Sequence, residues 1–176
     1  MDLSHHPSRR LCEEYRIGDI APGMALAVAV HATACDSCAL LLREPRANPE
    51  TLWRCETEGR KPLGSHLPPL LRDIARARWR KISPGVSVSF LRGVSGLGEA
   101  ACLLRSAPGA DIVLPSQVEL ILGLSGRASA HCGVLGSGDL IEITRSIRGT
   151  ADPLLGLLAL IIGDDGLDRG FSGPFA

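Results

Sequence analysis

The chain has 176 residues, 45% of them apolar, with a formal net charge of +0, which allows the packed core of one ordinary domain or two small ones. Balanced charge without a long Lys or Arg block argues against a direct grip on a phosphate backbone, so no direct nucleic-acid partner is expected. The longest apolar runs, residues 24–30 and 154–162, fall short of the roughly 18 to 20 needed to cross a bilayer. The chain opens on Asp2, a His pair and an Arg pair rather than on a basic cap and an apolar signal core, so no membrane partner and a cytoplasmic location are expected.

Residues 9–42 read as helical. Leu11, Cys12 and Tyr15 share one face of a short first helix, residues 18–23 form a Gly-bounded break, and residues 24–42, rich in Ala and Leu, continue as a single second helix. Pro45 opposes further extension, because it has no amide donor and restricts the residue before it. From 43 to 69 the composition shifts to Pro, Arg, Glu and Gly, with room for one short helix at 49–58. An amphipathic turn or two at 70–79 precedes a change of period. Val86, Val88 and Phe90 alternate with Ser87, Ser89 and Leu91, and strands are expected at 101–104, 118–124 and 140–143; the run 154–162 fits a central strand buried on both sides, with a helix as the alternative its periodicity allows. Turns are expected at Pro84-Gly85, Ser95-Gly96, Pro108-Gly109, Ser125-Gly126 and Gly136-Ser137-Gly138. Short, regularly spaced strands predict an antiparallel barrel or jelly roll. Residues 163–176, polar and Gly-rich, read as a mobile tail.

The chemistry concentrates in the first region. Six cysteines are unevenly spread, and two of them form Cys35-Asp36-Ser37-Cys38, a spacing that suits a metal or a redox pair. Cys12, Cys55, Cys102 and Cys132 lack such a neighbour and read as small apolar packing residues. At 100° per residue, helix positions 31, 35 and 38 fall at 0°, about 40° and about 340°, a single stripe that one cation can meet. An imidazole with two thiolates suits zinc, and a closed structural site requires a fourth ligand. His5 and His6 are the candidates. A thioredoxin-type redox centre would need a βαβ setting, which does not precede Cys35, and a zinc ribbon would need a second CxxC.

His31-Ala32-Thr33-Ala34-Cys35-Asp36-Ser37-Cys38, with His6 in an upstream His pair, resembles the HxxxCxxC motif of the zinc-binding anti-sigma factors. The resemblance is to their ChrR-like branch, in which a cupin domain follows the helical domain. Leu67 to Asp73 and Trp79 to Val86 resemble the entry into that cupin, so the likeness spans both regions. It implies His6, His31, Cys35 and Cys38 as the ligands of one structural zinc, with His5 as the substitute for His6. It implies an extracytoplasmic-function sigma factor as partner, held by the helical domain so that RNA polymerase core cannot reach it. Apolar positions between Leu11 and Leu42 are the expected contact set. The family's helical domain usually carries one more helix before the linker, and only 49–58 can supply it here.

The resulting expectation is an α+β protein of two domains: a helical zinc-binding domain at 1–58, a linker at 59–66, an antiparallel cupin-like (jelly-roll) barrel at 67–165 and a flexible tail at 166–176. The barrel lacks the family's metal ligands. Glu119 and Gly126 match the first cupin motif, and Gly136 to Leu140 resembles the turn of the second. The histidine positions, however, fall on Val113 and Pro115 in one register and on Pro115 and Gln117 in the other. Past Leu67 the sequence has a single histidine, His131. An unusual set of Glu119, His131 and Cys132 is disfavoured because adjacent strand residues face opposite ways. A structural or regulatory module that takes an apolar small molecule or the helical domain is the alternative. The chain therefore reads as a regulator and not an enzyme. A cupin-type metal-dependent enzyme and a thiol sensor that releases zinc on oxidation of Cys35 and Cys38, with Cys12 or Cys55 as resolving thiol, are the competing readings.

Overall fold

The computed structural model describes residues 6–43, 71, 78–91, 100–131, 133–144, 146–164 and 166–171. The helices expected at 49–58 and, apart from Leu71, Arg78 and Trp79, at 70–79 lie outside these residues, as do the linker 59–66, His5 and the Ser95-Gly96 turn.

Helix α1, Arg9–Ile17, starts where the Ser8 hydroxyl accepts from the Leu11 amide and stops at Gly18, whose φ of 77° is open to glycine at little cost. Arg9 and Arg10 pair with Glu13 and Glu14 one turn on, contacts that add little in water. Helix α2, Pro22–Ala34, begins with Pro in its first turn, where the missing amide donor costs nothing. Helix α3 covers Asp36–Arg43, with an acidic residue at its start and a basic one at its end, as the helix dipole favours. The single helix expected over 24–42 is thus two. Cys35 is extended (φ −119°, ψ 102°): its amide closes α2 on the His31 carbonyl and its own carbonyl opens α3 by accepting from Ala39. Asp36 and Ser37, whose short polar side chains compete with helical backbone bonds, follow directly.

The rest is a curled antiparallel sheet of nine strands. These are β1 (Arg80–Ser83), β2 (Val86–Phe90), β3 (Ala101–Ser106), β4 (Asp111–Leu114), β5 (Val118–Ala130), β6 (Gly133–Gly136), β7 (Leu140–Glu142), β8 (Ile147–Ala151) and β9 (Leu157–Gly163). The order is β1-β2-β3-β9-β5-β8-β4, with β6 and β7 also on β5. Strand β5 is the hinge of the curl. Its first part pairs with β9 and β7 and its second with β6 and β8, and the register on β9 slips between Gly123 and Ser125. Ser125-Gly126, expected as a turn, is therefore part of a bend inside a continuous strand. Gly126 has φ +76°, and a Cβ there would run into the Gly156 carbonyl, so the bend requires glycine.

Both faces of the central strands are buried. Cys102, Leu104, Ala159 and Ile161 point into the curl, joined by Val86, Ile112, Ile121, Leu135 and Ile141. Their neighbours Leu103, Leu160 and Ile162 point outward with Leu120, Leu122 and Leu140, and there they meet Leu11, Ala27, Val28, Val30 and Ala34 of the helices. The helical region and the sheet thus share a core. Strand β9 is the uninterrupted apolar run that a strand covered on both faces requires.

Two expectations fail at the C-terminal end. Leu154 and Leu155 are not strand: the Asp152 carboxylate accepts from both of their amides at 2.8 and 3.0 Å, turning the chain and leaving the two side chains 85% and 70% exposed. The stretch after 163 is not a loose tail through residue 171. The single turn α4, Leu167–Gly170, buries Leu167 completely, and Phe171 packs beside it in the inner core. Arg80 on β1 fastens this turn through Asp168 at 2.8 Å. Residues 172–176 lie outside the described residues.

Candidate metal centre

Three segments meet at the N-terminal end of the molecule. The residues just before α1 bring His6, the last turn of α2 brings His31, and the extended residue and first turn of α3 bring Cys35 and Cys38. The break at Cys35 matters to the site, because it turns α3 back toward α2 while keeping both thiols beside the imidazole. The four donor atoms lie within 4.8 Å of one another, and His31, Cys35 and Cys38 are buried. In a tetrahedral zinc site with Zn–N near 2.0 Å and Zn–S near 2.3 Å, a nitrogen and a sulfur sit about 3.5 Å apart. His6 Nδ1 is 3.5 Å from Cys35 Sγ and 3.3 Å from Cys38 Sγ. The two imidazoles stand edge to face, their centroids 5.6 Å apart.

The protonation pattern also fits a cation. His31 Nδ1 is 2.7 Å from the Gly138 carbonyl. A carbonyl only accepts, so Nδ1 carries the proton and Nε2 keeps its lone pair. That Nε2 is buried and has no hydrogen-bond partner, a costly state unless a metal meets it. The hydrogen bond from Cys38 outweighs desolvation and holds the Cys35 thiol well below its usual range. Cys35 is thus a thiolate, the form a metal needs.

The other cysteines behave differently. Cys12, next to the cluster in the chain fold, is pushed up to about 11, chiefly by burial, and is a neutral thiol ill suited to resolving a disulfide. Cys102 sits in the inner core and is pushed up to about 12 by burial. Cys55 and Cys132 are outside the described residues.

In the sheet, the positions that the sequence resemblance set against the cupin histidines hold other chemistry. Val113 is 46% exposed on β4, and Pro115 and Gln117 lie in the turn after it. Glu119 faces solvent, and His131 occupies the exposed turn after β5, not a strand as expected. Among the described residues neither joins a group of three or more ligand-type side chains; His6, His31, Cys35 and Cys38 form the group that does. The inside of the curl presents Ile112, Leu114, Ile121, Leu135 and Ile141 around an apolar cavity.

Sequence reasoning found the four clustered residues but not what holds them. The Gly138 carbonyl is 107 positions from His31 and Glu142 is 134 from Ser8, and no local pattern announces a backbone acceptor at such a separation. Nor is any helix among the described residues long and apolar enough to cross a membrane by itself.

Neither protein-family models nor curated proteins match this sequence. Among solved structures, the chain is similar to a chain in the crystal structure of Rhodobacter sphaeroides SigE in complex with the anti-sigma ChrR. The identity is 23% and the TM-score 0.67, over 92% of this chain and 99% of that one. An RmlC-like cupin from Shewanella frigidimarina gives 18% identity and a TM-score of 0.43, over 54% of this chain and 90% of its own. KdgF from Halomonas sp. gives 13% and 0.39, over 51% and 91%. The first likeness supports the fold described above, a small helical region followed by a curled antiparallel half-barrel, the α+β class read from the sequence.

Proposed function

We propose that this protein is a zinc-dependent anti-sigma factor. The observation that carries the reading is the fold likeness over nearly the full length of both chains to a chain from a sigma–anti-sigma complex, joined in this chain to a buried His2Cys2 cluster in the helical region. His6, His31, Cys35 and Cys38 are the proposed ligands. A zinc ion held there supplies a cross-link among the segment before α1, α2 and α3, and it is structural because every ligand position is taken by protein. The partner is an extracytoplasmic-function sigma factor, bound by the helical region so that RNA polymerase core is excluded. Ile17, 75% exposed at the end of α1, and Leu40, 44% exposed on α3, are the apolar contacts still open to it. Much of the remaining apolar surface between Leu11 and Leu42 is covered by the sheet.

The half-barrel serves regulation rather than catalysis. Its interior offers aliphatic side chains around a cavity of about 40 Å³, smaller than a ligand pocket, so an apolar effector would have to spread the strands to enter. A two-electron oxidant of the peroxide class that joins Cys35 and Cys38 as a disulfide, itself reduced to water, would remove two ligands and is a compatible second route to release, since the two thiols lie close enough to share one ion. Co-expression with the sigma factor encoded beside it is the test. The wild type is expected to co-purify with the sigma factor, and Cys35→Ala to lose both zinc and partner. A wild type that captures no such sigma factor overturns the proposal.

A further inference from the structure

The segment from Gly136 to Glu142 reaches both histidine-bearing parts of the cluster. The Gly138 carbonyl accepts from His31 Nδ1 at 2.7 Å. Four residues on, the Glu142 carboxylate accepts from the Ser8 amide at 2.6 Å, two positions after His6. The turn is held by hydrogen bonds from within the sheet. Gly138 N–H donates to the Gly123 carbonyl at 2.8 Å, Gly123 N–H returns a bond to the Asp139 carbonyl at 2.9 Å, and the Asp139 side chain accepts from Gly136 N–H at 2.7 Å. Gly138 has φ +86°, and a Cβ on it would lie 3.3 Å from the Ala34 Cβ, so glycine is what lets the turn sit against the last turn of α2.

From this juxtaposition, and resting on the zinc reading above, we infer that the turn and start of β7, through the Gly138 carbonyl and Glu142, form the outer shell of the metal centre and set its metal affinity. Gly138 selects the Nδ1–H tautomer of His31, which aims the Nε2 lone pair at the cluster. Glu142 anchors the backbone that delivers His6. Both are positioning groups that act through the ligands. The site is therefore completed by the sheet, and metal binding and the docking of helices on the sheet strengthen each other by the same factor. Leu135 and Ile141, on the strands flanking this turn, line the apolar cavity inside the curl.

Three measurements on the full-length chain test this. In metal-free wild type, nitrogen-15 NMR is expected to find His31 as the Nδ1–H tautomer; the Nε2–H form overturns the role given to Gly138. Zinc titrated against a chromophoric chelator is expected to bind Glu142→Ala about 10-fold or more weakly than wild type. Glu142→Gln, which keeps an oxygen acceptor for Ser8, is expected to bind as the wild type does. Glu142 is exposed, so its replacement leaves the core intact, and equal melting of the zinc-free forms checks this. Tight zinc binding that is unchanged in Glu142→Ala overturns the outer-shell role and leaves the zinc reading standing. A wild type that binds no zinc removes both.

Discussion

Replacing His31 by Ala separates the metal's contribution from that of the protein bond beneath it. His31 is fully buried and joins α2 to the sheet through Gly138. Two losses follow. The first is the proposed ion: a structural zinc would supply on the order of 10 kcal/mol of apparent binding free energy at neutral pH, and chelation of the wild type would remove the same contribution. The second is metal-independent. The buried Gly138 carbonyl loses its donor, costing about 1–3 kcal/mol, and the vacated ring volume costs roughly 2 kcal/mol more. His31→Ala also removes the Nε2 that chelated wild type leaves buried and unpartnered, returning about 1–3 kcal/mol, so in excess chelator the variant should remain about 2 kcal/mol less stable than chelated wild type. Urea unfolding followed by far-ultraviolet circular dichroism, with zinc measured by elemental analysis, reads both parts. Equal stability of the two chelated proteins would refute the argument built on the Gly138 bond. A variant that retains its zinc, or a wild type indifferent to the chelator, would refute the metal argument.

Two further predictions concern the sheet. Burial pushes the Cys102 thiol from 9.0 up to about 12, so the native state keeps a proton that the unfolded chain releases. Stability from this group is complete below the unfolded value near 9.0 and declines as pH climbs toward about 12. Cys102→Ala should flatten the alkaline fall in unfolding free energy, though Cys12, raised to about 11, retains part of the slope; unchanged slopes in the variant would contradict the assignment. Leu167→Ala should cost about 2–5 kcal/mol in urea unfolding, because Leu167 is fully buried in the inner core. A cost below about 1 kcal/mol would return this turn to the status of a dispensable tail.

Local rules account for much of what could be read in advance. The His31, Cys35 and Cys38 spacing marks a ligand set because its members are near neighbours along the chain, and period-two alternation at 86–90 and the apolar run ending at Ile162 mark strands that the sheet buries. Strands β4, β6 and β8 are short and largely exposed on one face, with glycine in β6 and β8, and their pairing with β5 and with each other, not their own residues, makes them strands. Likewise, the break at Cys35 leaves only a faint local trace in Asp36-Ser37, because a helix-forming composition surrounds it.

The amino-acid sequence by itself marked His31, Cys35 and Cys38 as one stripe with His5 or His6 as the fourth candidate, and separated the helical from the strand half, since these depend on residue identity and short-range spacing. The tertiary structure decided that His6 stands among the other three donors, that the helices share a core with the sheet, that Leu167 and Phe171 are core residues, and that Gly138 and Glu142 hold the two histidine segments. Those outcomes depend on contacts between residues distant in the chain, where a backbone carbonyl or an exposed carboxylate has no sequence signature until folding brings its partner within hydrogen-bond reach.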